Sequence, residues 1–354
     1  MSGPAAGLKD AGVRAALLAA VLFGVGTPLA KLLLDNVSPW LLAGLLYTGS
    51  GVGLGLWRLV CRKPKAHLAQ ADRLPLAGAV LFGGVIGPVL LLIGLTHLPA
   101  TGASLLLNAE GVFTAVLAWV VFKENVDRWV ALGMLVIVAG AVVLVVPAGV
   151  ELGSPWPSIA VLGACLAWGI DNNLTRKVAL TDASWLAAVK GLIAGPTNLI
   201  LAFVLGARLP PLLNIAASMT VGFLAYGVSL VLFIVGLRHV GTARAGAYFS
   251  IAPFFGAALA VLLGDQVTVP LLVAGLLMAV GIWLHLRERH EHAHTHELLV
   301  HEHFHTHDDG HHDHPHRVGG GEPASGPGHR HLHTHEPQTH THQHFPDSHH
   351  RHAH

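Results

Sequence analysis

Residues 94–126 read GLTHLPATGASLLLNAEGVFTAVLAWVVFKENV, and residues 236–267 read GLRHVGTARAGAYFSIAPFFGAALAVLLGDQV. Both open on Gly-Leu-x-His, at Gly94 and at Gly236, and both continue into a mainly apolar run of more than twenty residues. Both end at an acid before a valine, Glu124-Asn125-Val126 in one and Asp265-Gln266-Val267 in the other. A helix rises 1.5 Å per residue, so about 20 apolar residues cross a ~30 Å hydrocarbon layer. The chain therefore writes the same membrane-length helix twice.

Working outward from this pair, ten such segments appear, at about 14–34, 39–60, 74–96, 100–122, 128–146, 158–178, 184–205, 213–236, 242–263 and 269–286. Breakers separate them: Ser38-Pro39, Lys63-Pro64, Leu98-Pro99, Pro155-Trp156-Pro157 and Pro210-Pro211. The first spans of the two halves also correspond. Phe23-Gly24 matches Trp168-Gly169, and Pro39-Trp40-Leu41 matches Ser184-Trp185-Leu186. The chain is 53% hydrophobic and only 12% charged, where a soluble domain carries about 25% charge. Lipid is the solvent this composition suits, and lipid leaves helices as the way to satisfy the backbone. The expected fold class is an all-α membrane protein of ten transmembrane helices, arranged as two inverted five-helix repeats. The first repeat covers 1–147 and the second 148–289. Five is odd, so the second unit enters the membrane from the opposite side, an architecture suited to alternating access in secondary transporters.

Lys and Arg set the orientation. With the N-terminus in the cytoplasm, the inner loops and span ends hold fifteen of them, including Arg58, Arg62, Lys63, Lys123, Arg128, Arg176, Lys177, Arg238, Arg244, Arg287 and Arg289, while the outer ones hold Lys31 and Arg208. Both termini are expected to be cytoplasmic, in a multi-pass cell (inner) membrane protein. The first apolar run follows Lys9 and Arg14 and reads as a retained helix, not a signal sequence. Cys61 and Cys165 lie far apart and offer neither a disulfide framework nor a Cys-based metal motif. Net charge is +1 with histidine neutral, which gives no basic surface for nucleic acid. No nucleophile–base constellation or nucleotide loop is present, so no enzyme is expected. Gly49 and Gly53, Gly51 and Gly55, Gly83 and Gly87, and Gly191 and Gly195 give small faces at four-residue spacing, which bundle packing explains.

These residues resemble the drug/metabolite transporter superfamily in its EamA-type branch. The likeness rests on the two five-span units, Leu22-Phe23-Gly24, the Gly-Leu-x-His-x-x-x-Thr/Ala-x-Ala pattern and Phe122-Lys123-Glu124. The second unit departs at that last point, with Leu263-Gly264-Asp265. The resemblance covers about 14–286 and implies the fold and a transport function. Members similar to this chain export amino acids, drugs, nucleotide sugars or unknown metabolites, so the resemblance leaves the substrate open.

A charge within a span costs roughly 2.5–3.5 kcal/mol on insertion scales, so such residues mark candidate sites. Glu110, beside Asn108, lies about midway along the fourth span and suits a cationic group or a coupling proton. Asp171 and Lys190 fall at similar depth on consecutive spans and are expected to pair, as a structural bridge or as a gate. Asn172 and Asn173 follow Asp171, and one or two of these three positions face the lumen. Trp168 lies one turn before Asn172 and is a candidate cavity wall. The expected substrate-binding set is thus Glu110, Asn108, Asp171, Asn172, Asn173, Lys190 and Trp168.

From His290 to His354, 65 residues include 23 histidines. Too few are apolar to offset the ordering entropy, so a disordered cytoplasmic tail over 290–354 is expected. Imidazole is a common ligand for zinc, nickel and cobalt ions. The candidate ligands are His290, His292, His294, His296, His301, His303, His305, His307, His311, His312, His314 and His316, with Asp308, Asp309 and Asp313 able to add oxygens. A purification tag, a metal buffer and a pH-dependent polycation on anionic lipid are plainer readings of the same tract. No cofactor is required, and metal ions on the tail are the optional inorganic partners.

Three functions compete. The first is a secondary transporter exporting a small metabolite. The second is a divalent-metal exporter with the tail as collector, although the spans lack His or acid pairs at helical spacing. The third is a membrane metal sensor or store. The partners expected are a small-molecule substrate, the lipid bilayer and divalent ions, with a homodimer left open.

Overall fold

The structure is a computed structural model. It describes residues 11–63, 66, 68–122, 128–145, 155–178, 182–240 and 248–285, together with four short strands between 291 and 343. Two units are separate, Met1–Glu288 and Arg289–His354.

The first unit is helical throughout its described elements: α1 (Ala11–Leu34), α2 (Pro39–Val60), α3 (Arg73–Ala79), α4 (Gly87–Leu95), α5 (Ala100–Leu106), α6 (Ala109–Phe122), α7 (Arg128–Val145), α8 (Trp156–Lys177), α9 (Ala183–Val204), α10 (Leu212–Gly222), α11 (Ser229–Val240), α12 (Ala252–Leu262) and α13 (Val269–His285). Six helical segments among the described residues are long and apolar enough to cross a membrane. Their outer faces suit lipid: Leu74 and Leu262 are each 82% exposed, a patchwork no aqueous surface would tolerate over so many residues. Leu41, Leu42, Leu46, Leu91, Leu92, Leu95 and Leu106 fill the interior.

The third, fourth, eighth and ninth expected spans depart from plain α-helix. A π-helix, Val80–Ile86, joins α3 to α4, and a second, Phe223–Val228, joins α10 to α11. The two end 142 residues apart, the same offset that separates Gly94 from Gly236. A turn at Leu107-Asn108 splits α5 from α6, and a turn at Ser250-Ile251 precedes α12 at nearly the same offset.

Proline chemistry accounts for the first π-turn. Pro88 has no N–H to give the preceding turn, so the carbonyls of Gly83 and Gly84 are left open. Side chains from elsewhere fill them. The Tyr47 hydroxyl donates to Gly83 O at 2.6 Å, the Trp168 indole N–H to the same oxygen at 3.0 Å, and Asn198 Nδ2 to Gly84 O at 2.9 Å. The opened carbonyls thereby find donors, as buried polar groups must away from water.

Packing repeats with the helices. α1 lies against α11 as α4 lies against α8. α1 touches α12 as α8 touches α6, and α2 meets the second π-turn as α9 meets the first. Two contacts pair like with like: α2 with α9, and α7 with α13. Exchanging the halves maps this set of contacts onto itself. The α2–α9 contact is backbone against backbone at Gly51 and Gly191, where a Cβ on either would overlap the other chain segment. Gly49 and Gly53 of the same stripe approach Met219 and Phe223, whereas a Cβ on Gly55 would meet nothing. Lys31, expected as an orientation marker, donates to Leu95 O (2.6 Å) and Thr96 O (3.2 Å), a cation at the negative end of α4.

The second unit holds two antiparallel ladders. β1 (Glu291–Thr295) pairs with β4 (Thr339–Gln343), and β2 (Leu299–His305) with β3 (His329–His335). The His-x-His alternation there has the period of two that strands follow. The other residues of the tail lie outside those described.

Candidate functional site: an acid at a half-helix N-terminus

The α5–α6 break is built by Asn108. Its Nδ2 donates to Leu105 O at 2.9 Å and approaches Met278 Sδ at 3.6 Å. A short polar side chain that bonds its own backbone competes with the helix ladder, so the chain turns and restarts at Ala109. Cys165 Sγ lies 3.6 Å from the Leu106 carbonyl on the other side of the break. Asn108 is 7% exposed. It shapes the break and does not stand beside Glu110's carboxyl.

The restart puts Glu110 in the first turn of α6. The N-terminus of a helix carries partial positive charge and favours a carboxylate. Asn172, on α8, donates from Nδ2 to Glu110 Oε1 at 2.8 Å and to Thr114 Oγ1 at 3.2 Å. Thr114 donates in turn to Glu110 O at 2.8 Å. Asn172 is exposed and Glu110 half-buried, although both sit well inside long apolar segments. A polar side chain at membrane depth lines a cavity and does not face lipid. Among the described residues Glu110 has no ion-pair partner.

Asp171 and Lys190 pair as expected. Lys190 Nζ donates to both carboxylate oxygens, at 2.7 and 2.6 Å, and Thr175 Oγ1 adds a third bond at 2.8 Å. The two side chains are 9% and 12% exposed. Their charges cancel, which leaves Glu110 as the acid with spare capacity. Gly83 packs on the Asp171 carboxylate so closely that a Cβ there would collide with it.

Asn173 turns away from Asn172 and is buried. Its Nδ2 donates to Gly169 O (2.9 Å) and Thr114 O (3.1 Å), bracing α8 against α6. Trp168 is buried too, spent on Gly83. Tyr47 shares that carbonyl and stacks 5.6 Å from Tyr226, which meets Phe23 at 5.9 Å; Phe23 meets Phe249 at 5.2 Å. An aromatic row therefore runs from Gly83 along α2, the second π-turn and α1. Thr114, Thr175 and Tyr47 escape a reading of the sequence. Thr114 alone leaves a trace there, four residues after Glu110 and so on the same helix face.

Away from this centre, two clefts open. One, about 230 Å³, is wholly apolar and lined by Val112, Phe113, Val138 and Val142 among others. The other, about 510 Å³, holds Asp265, whose Oδ2 accepts from the Thr101 amide (2.8 Å) and hydroxyl (3.1 Å). Neither contains Glu110, and the polar chemistry favours the Glu110–Asn172 pair as the site.

No group of three or more His, Cys, Asp or Glu gathers among the described residues, so the helical unit lends nothing to the metal-exporter or metal-sensor readings. Of the expected tail ligands, His292, His294, His301, His303 and His305 lie on strands. His290, His296, His307, His311, His312, His314 and His316 lie outside the described residues.

Comparison with known proteins agrees with a transport function. The chain is 27% identical to a protein of Methanothermobacter thermautotrophicus described as an uncharacterized transporter, over 76% of this chain and 84% of that one. It is 22% identical to the inner membrane transporter YedA of Escherichia coli, over 66% of this chain and 76% of YedA. One solved crystal structure shares the fold with a TM-score of 0.59 at 20% identity, covering 77% of this chain and 95% of that one. A family model matches the chain twice, over residues 10–146 and 155–287, and by that match the chain is a multi-pass membrane protein belonging to the EamA-like transporter family.

Proposed function

We propose that this protein is a secondary transporter that exports a small organic solute by alternating access between two inverted five-helix units, 1–147 and 148–289. The family supplies the transport class. The repeated π-turns, the repeated mid-span breaks and the contact set that maps onto itself support two equivalent halves able to exchange conformations. The charge bias of the loops supports a cytoplasmic N-terminus and an even number of spans.

The observation that carries the site is the Glu110–Asn172 contact. A half-buried carboxylate at a half-helix N-terminus, bonded only to neutral groups, is the group free to exchange partners. It takes the cationic end of a substrate or the coupling proton, one at a time. Asn172 holds the carboxyl in place while the partner changes, and Thr114 holds Asn172. The Asp171–Lys190 bridge, with no spare charge, fixes α8 to α9 beside it.

Purified protein in proteoliposomes, given a panel of labelled amines, amino acids and metabolites, tests this. The expected result is flux of at least one organic solute, lost in Glu110→Gln and driven by an imposed pH gradient. Correctly inserted Glu110→Gln protein that moves that solute as the wild type does would remove Glu110 from the mechanism.

A further inference from the structure

Asp265, the acid that closes the second Gly-Leu-x-His unit, takes no part in the Glu110 site, and the structure holds it from two directions. Helix α12 stops just before Gly264, whose φ of +112° lies in the left-handed region that glycine adopts freely. The Gly264 amide donates to Val261 O and the Asp265 amide to Ala260 O, each at 3.0 Å, which closes the helix end and fixes where the Asp265 side chain leaves it. From the other half, the Thr101 amide and hydroxyl donate to Asp265 Oδ2 at 2.8 and 3.1 Å. Oδ1 keeps no hydrogen-bond partner among the described residues.

Asp265 opens on the cleft of about 510 Å³ that lies between the start of α5, the end of α7 and the starts of α8 and α13. Clefts of about 300–1,000 Å³ hold small organic ligands. Asp265 is the only charged residue among those that line it. Ser158 lines it too; it is 5% exposed, and its hydroxyl makes no hydrogen bond among the described residues. A buried hydroxyl without a partner is costly, so Ser158 is the second polar group that an occupant would satisfy. Leu106, Leu144 and Leu271 make much of the remaining wall apolar.

From this arrangement we propose that the cleft is a second binding site, which takes an organic ammonium ion with a short apolar body. The ammonium donates to Asp265 Oδ1, Ser158 offers a further acceptor, and the alkyl part lies on the leucines. A single carboxylate beside apolar walls selects this ligand over its rivals. An anion would meet the carboxylate. A hard metal ion such as calcium takes about six to eight oxygens, and no group of three or more His, Cys, Asp or Glu gathers among the described residues. The ammonium can belong to a soluble amine or to the ethanolamine headgroup of a lipid, since both present the same chemistry. The inference shares no residue with the Glu110 reading and stands without it.

The test measures tritiated hexylamine on the full chain in nanodiscs of phosphatidylcholine and phosphatidylglycerol, counted against empty discs. Wild-type protein should bind it saturably, and hexanol, which lacks the charge, should not displace it. Asp265→Asn keeps an acceptor for Thr101 and loses the charge, so it should weaken binding roughly tenfold or more, as loss of a charged hydrogen bond does. Gly102 lines the cleft, and a Cβ there would meet nothing within 4 Å. Gly102→Leu should therefore fill the cleft and abolish the same binding without crowding the helix. Glu110→Gln should leave the Asp265-dependent binding unchanged, which separates this site from the proposed transport site. Adding phosphatidylethanolamine to the discs identifies the source: competition that disappears in Asp265→Asn points to the headgroup, and undisturbed binding points to a soluble amine. No saturable binding in the first discs, displacement by hexanol as effective as by hexylamine, or wild-type affinity in both Asp265→Asn and Gly102→Leu would overturn the proposal.

Discussion

Glu110 and the Asp171–Lys190 pair lie within one turn of α8 of each other in reach, yet they answer mutation differently. A hydrogen bond to a charged group contributes about 1.5–3 kcal/mol. Asn172→Ala should therefore slow transport roughly 10- to 100-fold while leaving the thermal unfolding midpoint near that of wild type, since Asn172 is exposed. Initial rates and differential scanning fluorimetry on the same preparation check both halves of that expectation. Lys190→Met should do the reverse and destabilise the fold, because it strands the buried Asp171 carboxylate, a loss of about 3–5 kcal/mol for a broken buried pair. Adding Asp171→Asn should recover much of that loss. A double variant no more stable than Lys190→Met would show that the pair is not the reason for the destabilisation. Glu110 was legible in the sequence because a charge inside an apolar run has to be explained. The Asp171–Lys190 partnership was legible because depth on consecutive spans is simple arithmetic. Asn108 and Asn173 were legible as polar interruptions but not in their roles, since one amide turns to its own backbone and the other to a neighbouring carbonyl.

Individual elements carry constraints that no short window of sequence displays. The π-turn at Val80–Ile86 depends on Pro88 nearby and on Tyr47, Trp168 and Asn198 from distant helices. A proline announces a kink, but nothing local says which side chains will fill the opened carbonyls. Tyr47→Phe should destabilise by about 1 kcal/mol, one net hydrogen bond, because Trp168 still serves Gly83. Gly83→Ala should be far worse, since its Cβ has nowhere to go beside the Asp171 carboxylate. The N-terminal end of α9 offers a pH test. Asp182 caps that helix by accepting from the Trp185 amide at 2.9 Å, bonds Ser184 at 2.6 Å and pairs with Arg58 at 2.6 Å. Partial burial alone would raise its pKa, but Ser184, the Trp185 amide and Arg58 together outweigh burial and hold it below the ordinary 3.8. A depressed carboxyl stabilises the fold above its unfolded pKa and loses that contribution as pH falls through the folded one. The midpoint gap between wild type and Asp182→Asn should thus be constant from neutral pH to about 5 and close below about 4. A gap that persists unchanged at pH 3 would show that the cap acts without its charge.

At the scale of the whole molecule, six helical segments among the described residues are long and apolar enough to cross a membrane, and length with absence of charge is what made such segments legible in the sequence. The repeat was legible at Gly94 and Gly236, and its structural counterpart, two π-turns at the same offset, was not, because π-helix has no composition of its own. The account rests on two equivalent halves working around one exchangeable acid, and counterflow tests it most directly. Proteoliposomes preloaded with an unlabelled solute found in the panel are diluted into trace label. Wild-type protein should accumulate label transiently inside, Glu110→Gln should show no overshoot, and ending the chain at Arg289 should leave the overshoot intact. An undiminished overshoot in Glu110→Gln would contradict the account.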